Sequence, residues 1–210
     1  MINVLVVDDH TIVREGLCKL IQFEQDMIVA GVAKDAPEAL RIISKQKTDV
    51  VILDISLPGR SGLDIIKDLK KLQPGSRILM LSMYREERFA LRAFKSGASG
   101  YLTKEMASEE IVKAIRKVYS GGKYITPWLA EKLVEELNAP SEPMPHERLS
   151  DREFQVMYLI AAGKSIREIA DDFAINEKSV ATYRTRILAK MKLKTTTEIT
   201  KYAIDNGLCE

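Results

Sequence analysis

The sequence has few of the residues from which disulfide frameworks and thiolate metal sites are built. Only two cysteines, Cys18 and Cys209, occur in 210 residues, and neither belongs to a CxxC pair or has a histidine beside it. Disulfide scaffolds and zinc modules use several cysteines at short, regular spacings. Both classes are therefore excluded, and the two cysteines are interpreted as reduced side chains without a functional role.

A long apolar segment is also missing at the N-terminus. Residues 2–7 form one short apolar run that leads directly to Asp8 and Asp9. This pattern gives neither the basic start of a signal peptide nor the roughly 20 apolar residues of a membrane helix. We therefore expect a cytoplasmic protein that makes no membrane contact.

A large excess of charge of one sign is missing as well, because the net charge is only +2. Affinity for nucleic acid must then depend on where the charges lie. Hydrophobic residues make up 46% of the chain and charged residues 30%, which is typical of a globular protein. A length of 210 residues favours two domains.

The first half alternates short apolar runs with amphipathic stretches of helical length, the pattern of βαβ units. It predicts an α/β, doubly wound, five-stranded parallel sheet. The predicted strands are Ile2 to Val7, Met27 to Ala33, Val50 to Leu53, Arg77 to Leu81 and Gly100 to Thr103. The predicted helices are Thr11 to Phe23, Ala36 to Lys47, Gly62 to Lys71, Arg85 to Ser96 and Ser108 to Ser120.

The second half has a different organisation. A helix predicted at Pro127 to Leu137 is followed by three prolines within residues 138–147, which cannot continue a helix. Beyond this linker, Ser150, Ser165 and Thr195 each precede a glutamate by three residues, as in a capping box, and Asn176 is a fourth candidate N-cap. We expect an α/β domain at 1–124, a linker at 125–147 and an all-α four-helix domain at 148–210.

Polar side chains follow the predicted strands at their carboxyl ends: Asp8 and Asp9, Asp54, Ser82 and Lys104. In an open α/β sheet these ends form one crevice. Three carboxylates gathered there need a cation, and oxygen ligands favour Mg²⁺. Asp54 could then act as a nucleophile towards a phosphoryl group, with Lys104 and the Ser82 hydroxyl contacting the phosphoryl oxygens.

Each of these residues alone is better explained as a strand-end turn former or a solvated lysine. Their joint occurrence at successive strand ends favours a site. The runs VLVVDDH, VVILDISLPGRSG, ILMLS and SGASGYLTK resemble the receiver domain of two-component response regulators, over residues 1 to about 121.

The resemblance implies a flavodoxin-like fold that is phosphorylated by a sensor histidine kinase. It implies phospho-acceptor Asp54, Mg²⁺ ligands Asp9, Asp54 and the Ser56 backbone carbonyl with Asp8 assisting, and switch residues Ser82, Lys104 and Tyr101. Two points depart from it or stay open. Glu105 stands where many receivers have proline, and Tyr101 is equally well explained as a half-buried aromatic at a sheet edge.

A basic segment lies in the predicted third helix of the second domain. Residues 178–194 contain six basic side chains and no acidic one. Helical periodicity buries Val180, Ile187, Leu188 and Met191 and turns small and polar residues outward. The outward residues, which suit the major groove, are Lys178, Ala181, Thr182, Thr185, Arg186 and Ala189. Alternatively, the basic end is a solvated helix terminus that complements the helix dipole.

Residues 149–199 resemble the LuxR-type helix-turn-helix, so the whole chain resembles the NarL/FixJ response regulators. The resemblance implies a transcription regulator, a homodimer at least when phosphorylated, that binds double-stranded DNA. Lys190, also in the basic segment, is assigned to DNA as well, and Arg184, Lys192 and Lys194 are placed on phosphates. Thr182, Thr185 and Arg186 are placed nearer base edges.

Two other function classes stay open from the residues alone. A small-molecule phosphotransferase could use the same aspartate and Mg²⁺, but Ser56 stands where its general acid would be expected, two residues after Asp54. No catalytic residue is therefore assigned. A receiver that signals through protein contacts alone is the other alternative, and duplex binding would distinguish it.

Overall fold

The computed structural model describes residues 1–83, 86–138 and 144–209. The chain folds as two compact units, Met1–Ala139 and Pro140–Glu210. Arg85, the predicted first residue of the fourth helix, and residues 139–143 of the proline-rich linker lie outside the described residues. None of the described helices is both long and apolar enough to cross a membrane.

The first unit contains the predicted five-stranded parallel sheet. Its strands are β1 Ile2–Val7, β2 Met27–Ala33, β3 Val50–Asp54, β4 Arg77–Ser82 and β5 Gly100–Thr103. They lie in the order β2-β1-β3-β4-β5, and every neighbouring pair is parallel. Strand β3 is buried along its whole length, because helices cover both faces of a parallel sheet, and this explains the unbroken apolar runs in the sequence.

Six helices accompany the sheet. They are α1 Thr11–Gln22, α2 Ala36–Ile43, α3 Gly62–Leu72, α4 Glu86–Ser96, α5 Lys104–Tyr119 and α6 Pro127–Asn138. Helix α2 ends four residues before the predicted Lys47, since the amide of Lys45 bonds to the Ile42 carbonyl at the tighter three-residue spacing. Helix α5 begins four residues before the predicted Ser108, because the Thr103 hydroxyl caps it by accepting from the Met106 amide.

Both edges of the sheet carry irregular pairing. In β2 one extra residue, Ala30, interrupts the register, so that Val4 pairs with Val29 and Leu5 with Gly31. The Ala30 carbonyl accepts from Gln46 Nε2 at 2.5 Å. At the other edge, the Tyr124 amide donates to the Ser99 carbonyl, and the Tyr101 amide donates to the Tyr124 carbonyl. A bulge distorts one edge, and the segment after α5 covers part of the other.

The second unit consists of four α-helices after a short 3₁₀ turn at Pro145–Arg148, as predicted. They are α7 Asp151–Ala161, α8 Ile166–Asp172, α9 Glu177–Met191 and α10 Thr196–Asp205. No strand occurs among residues 144–209. In the capping boxes at Ser150 and Ser165 both hydrogen bonds are present: the serine side chain accepts from the glutamate amide, and the glutamate side chain accepts from the serine amide. The predicted third box is incomplete, because the Glu198 carboxylate accepts from the Lys194 amide instead of the Thr195 amide.

Candidate functional sites

The acidic residues lie where the direction of the sheet order reverses. Strands β1 and β3 are neighbours, but the chain leaves them towards opposite edges, which opens a crevice beyond their carboxyl ends. Asp8 and Asp9 follow β1, and Asp54 is the last residue of β3. Asp8 and Asp54 are buried. The topology therefore brings together the carboxylates that the sequence singled out.

Lys104, the first residue of α5, reaches into this crevice. Its Nζ lies 2.7 Å from Asp8 Oδ2 and 3.0 Å from Asp54 Oδ2. Burial alone would lower the pKa of Lys104, but the two carboxylates outweigh burial and raise it. The ammonium is thus held in its charged form between two buried acids, where it compensates only part of their charge.

Asp54 is the most perturbed carboxyl group of the crevice. Burial raises the pKa of Asp54 to about 6, and the neighbouring Asp8 charge adds to the rise. The Lys104 ammonium and the Ser56 backbone amide oppose it. Within the described part of the chain, Asp54 Oδ1 is buried and has no hydrogen-bond partner. One oxygen of Asp54 is therefore held by lysine while the other is available.

The donor set fits a divalent cation. Atoms of Asp8, Asp9, His10 and Asp54 that could ligate a metal all lie within 4.8 Å of one another. Three carboxylates against one ammonium leave an excess of negative charge, and such oxygen-rich sets favour Mg²⁺. His10, which was not among the ligands expected from the sequence, lies beside them: its Nδ1 is 2.8 Å from Asp9 Oδ1 and 3.2 Å from Asp8 Oδ1.

Three further residues shape the crevice. Ser82 is buried at the end of β4, and the Tyr101 side chain is only 2% exposed, so Tyr101 is not the half-buried edge aromatic considered above. Gly62 was not predicted to matter. A Cβ at Gly62 would lie 2.0 Å from the Asp54 carbonyl oxygen, so only glycine allows α3 to start this close to the acidic site.

In the second unit, α8 and α9 are joined by the predicted turn at 173–176. Ala174 in this turn has a φ of +49°. This left-handed conformation is unfavourable for residues that have a Cβ atom. The Asn176 side chain caps α9 by accepting from the Ser179 amide. This turn joins the two helices of a helix-turn-helix, a motif that binds DNA.

The predicted faces of α9 are largely confirmed. Val180, Ile187 and Met191 are buried, and Leu188 is half-buried. Among the nine residues predicted to contact DNA, seven are exposed, and Ala181 and Arg184 are half-buried. The Thr182 and Thr185 hydroxyls donate to the carbonyls of Lys178 and Ala181, which leaves their oxygen lone pairs and methyl groups for a ligand.

Lys190 differs from the other basic residues of α9. Its Nζ lies 2.6 Å from the Glu153 carboxylate of α7. The sequence grouped Lys190 with the cationic surface because this lysine lies in the basic segment 178–194. The pattern within α9 contains no information about a partner 37 positions earlier in the chain.

Comparison with known proteins gives matches in both units. Residues 4–116 match the family of response regulator receiver domains, and residues 147–203 match the LuxR family of bacterial regulatory proteins. The response regulator GacA of Pseudomonas aeruginosa is 34% identical over 100% of this chain and 99% of its own length. UvrY of Escherichia coli is also 34% identical, over 100% of this chain and 96% of its own.

Solved structures give a consistent result. A two-component response regulator of the LuxR family from Aurantimonas sp. is 36% identical over 65% of this chain and 98% of its own, with a TM-score of 0.59. RcsB from Salmonella enterica serovar Typhimurium, bound to the promoter P1flhDC in the presence of the phosphomimetic BeF3−, is 26% identical over 96% of this chain and 97% of its own, with a TM-score of 0.58.

The fold, the acidic crevice and the helix pair therefore agree with the matches along the whole sequence. Such proteins are transcription regulators and not enzymes, and they join a receiver domain to a LuxR-type DNA-binding domain. The chain belongs to the NarL/FixJ family of two-component response regulators.

Proposed function

We propose that Asp54 is the phospho-acceptor of this regulator. Phosphorylation by a sensor histidine kinase then controls dimerisation and sequence-specific DNA binding. The observation that carries the proposal is the asymmetry of the Asp54 carboxylate: Lys104 binds Oδ2, while Oδ1 is buried and has no hydrogen-bond partner among the described residues. An oxygen in this position can attack the phosphorus of a phosphohistidine on the kinase. The P–N bond then breaks, the imidazole leaves, and Asp54 becomes an acyl phosphate.

The residues around Asp54 support a Mg²⁺ site in which Asp9, Asp54 and the Ser56 carbonyl are ligands and Asp8 assists. When bound, Mg²⁺ would neutralise carboxylate and phosphoryl charge. Lys104 would pair with the phosphoryl oxygens, since its ammonium already lies 3.0 Å from Asp54 Oδ2. The Ser82 hydroxyl would donate to the same group, and Tyr101 would respond to that contact.

The proposal places DNA on the exposed face of α9. Thr182, Thr185 and Arg186 lie nearer base edges, and the small side chain of Ala181 permits close approach. Phosphates are contacted by basic residues: Lys178, Arg184, Lys192 and Lys194. RcsB, solved with a promoter, supports this by similarity. The proposed regulator acts on promoters as a homodimer in the cytoplasm. Its receiver spans residues 1–124, its linker residues 125–147 and its DNA-binding domain residues 148–210.

Labelling with a small acyl phosphate donor tests the acceptor. We expect Mg²⁺-dependent incorporation of one phosphoryl group, which Asp54→Ala abolishes. The matched control is Asp68→Ala, since Asp68 lies on α3 and pairs with Arg60 at the surface, and this variant should label normally. Persistent labelling of Asp54→Ala would place the acceptor elsewhere.

Selection of duplexes from a random pool, with phosphorylated and unphosphorylated protein, tests DNA binding. We expect one sequence motif to be enriched, and more strongly after phosphorylation. If neither form enriches a motif, the C-terminal unit has another partner, as in the alternative of a receiver that signals through protein contacts.

A further inference from the structure

A partly buried ion pair connects the last turn of α9 to the first turn of α7. Lys190 Nζ lies 2.6 Å from Glu153 Oε2, and the Glu153 side chain is only 4% exposed. The Lys190 side chain is 42% exposed, so its stem reaches the surface while its charged end turns towards α7. The other two lysines near the end of α9, Lys192 and Lys194, are exposed and pair with no carboxylate among the described residues.

Glu153 has a second contact through the same oxygen. Its Oε2 also accepts from the Ser150 amide at 2.8 Å, and the Ser150 hydroxyl in turn accepts from the Glu153 amide. A single carboxylate oxygen thus closes the capping box of α7 and binds the side chain of α9. Burial alone would raise the pKa of Glu153, but Lys190 and the Ser150 contacts outweigh burial and lower it.

This arrangement makes Lys190 a poor phosphate ligand. Transferring its ammonium to a phosphate would leave a nearly buried carboxylate without its counter-charge, which is strongly unfavourable. Two helices joined by a charged contact are also held at a more closely defined separation than two helices that share only apolar packing, because a charge-assisted hydrogen bond requires a short distance between its partners. The contact lies at the end of the helix whose middle carries Thr182, Thr185 and Arg186.

We propose that Glu153 and Lys190 are positioning residues for DNA recognition. Their ion pair orients α9 on α7 and so aligns the side chains that face base edges, while Lys190 itself makes no phosphate contact. The inference rests on the proposed function of α9 as the DNA-reading helix, and it removes Lys190 from the residues that the sequence assigned to DNA.

The experiment uses the full chain and two duplexes: one that the wild-type protein selects from a random pool, and a scrambled duplex of the same composition. Affinity is measured over a series of salt concentrations. We expect Lys190→Met to weaken binding to the selected duplex about tenfold while binding to the scrambled duplex changes less than about twofold. The slope of log affinity against log salt should stay unchanged, because no phosphate contact is lost.

Lys192→Ala is the matched control, since Lys192 is an exposed lysine two positions away with no carboxylate partner in the described part of the chain. It should weaken binding to both duplexes and make the slope about two units less steep, because a homodimer loses one phosphate contact in each protomer. Lys190→Arg should restore discrimination. Glu153→Gln keeps an acceptor for the Ser150 amide but removes the charge, so combining it with Lys190→Met should cost much less than the sum of the two single changes.

The outcomes separate the competing explanations. A slope that becomes about two units less steep in Lys190→Met would make Lys190 a phosphate contact and overturn the inference. A loss of thermal stability with unchanged discrimination between the duplexes would reduce the pair to a purely structural role and overturn it as well. If the wild-type chain itself binds neither duplex, the proposed function of α9 fails, which is distinguishable because it does not depend on the variants.

Discussion

Asp54, the proposed phospho-acceptor, lowers the free energy of unfolding at neutral pH. The carboxyl group is buried beside Asp8 and is balanced only in part by Lys104. Because burial and like charge raise its pKa to about 6, the folded protein binds a proton at Asp54 more readily than the unfolded chain does. Linkage then requires that this group favours folding most below about pH 4, and that its contribution is lost as pH rises through 6.

We therefore expect Asp54→Asn to stabilise the protein when Mg²⁺ is chelated. A difference of about two pKa units corresponds to about 3 kcal/mol at pH 7.5. The gain in free energy of unfolding, measured by chemical denaturation, should shrink towards zero near pH 4. Adding Mg²⁺ should raise the stability of the wild type and leave the variant nearly unchanged. A variant less stable than the wild type at every pH would mean that the Lys104 pairing outweighs the burial cost.

Gly62 is constrained more strictly than any pattern in the sequence suggests. A methyl group at this position would meet the backbone of Asp54 at 2.0 Å, and backbone cannot move aside as a flexible side chain can. We expect Gly62→Ala to destabilise the first unit by about 3 kcal/mol or more. The control is Gly16→Ala, an exposed position inside α1 with nothing within 4 Å, which should stabilise by about 0.5–1 kcal/mol. Thermal denaturation of both variants provides the measurement.

At the scale of the element, the helices of the second unit are defined mainly by their ends. Side chains of Ser150, Ser165, Asn176 and Thr195 each accept from an amide in the first turn of the following helix. The turn between α8 and α9 differs, because Ala174 adopts the left-handed conformation without being glycine, as Lys192 also does at the end of α9. This residue stores backbone strain at the centre of the motif.

Replacing this alanine should relieve that strain. We expect Ala174→Gly to raise the free energy of unfolding by up to about 1 kcal/mol. Ala189→Gly, at an exposed position inside α9, is the control and should lower it by about 1 kcal/mol. Unfolding of both variants on heating is monitored by circular dichroism. If both variants lose the same free energy of unfolding, position 174 is not strained.

The elements differ in how far they could be predicted. Strands β1, β3 and β4 were predictable because both of their faces are buried, which leaves uninterrupted apolar runs. The crevice was predictable because parallel strands bring their carboxyl ends to one side. The end of α2 and the start of α5 were misplaced by four residues, since both depend on local hydrogen bonds. The Lys190 contact, the φ of Ala174 and the Gly62 approach depend on tertiary neighbours, which periodicity does not reveal.

At the scale of the whole molecule, charge is distributed unevenly along a nearly neutral chain. Residues 140–210 contain eleven basic and eleven acidic residues, so the DNA-binding unit is neutral overall. Its positive field is concentrated on α9, where Lys190 is already paired. Specific recognition then depends on few electrostatic contacts, and attraction to unrelated DNA should be modest.

This distribution sets a limit on salt dependence. The remaining basic residues of the segment are Lys178, Arg184, Arg186, Lys192 and Lys194. At about 0.9 per phosphate contact, a homodimer should show a slope of log affinity against log salt no steeper than about −9. Titration of the selected duplex at several salt concentrations measures it. A slope steeper than this would require phosphate contacts from residues outside the segment 178–194.

The two edges of the sheet have a consequence for self-association. Exposed strand edges invite further strands of other chains, and such additions are hard to reverse. Here Ala30 distorts β2 while Gln46 occupies its carbonyl, and Tyr124 covers part of β5. If copies of the regulator associate on phosphorylation, as proposed, these features protect them from polymerising through the sheet.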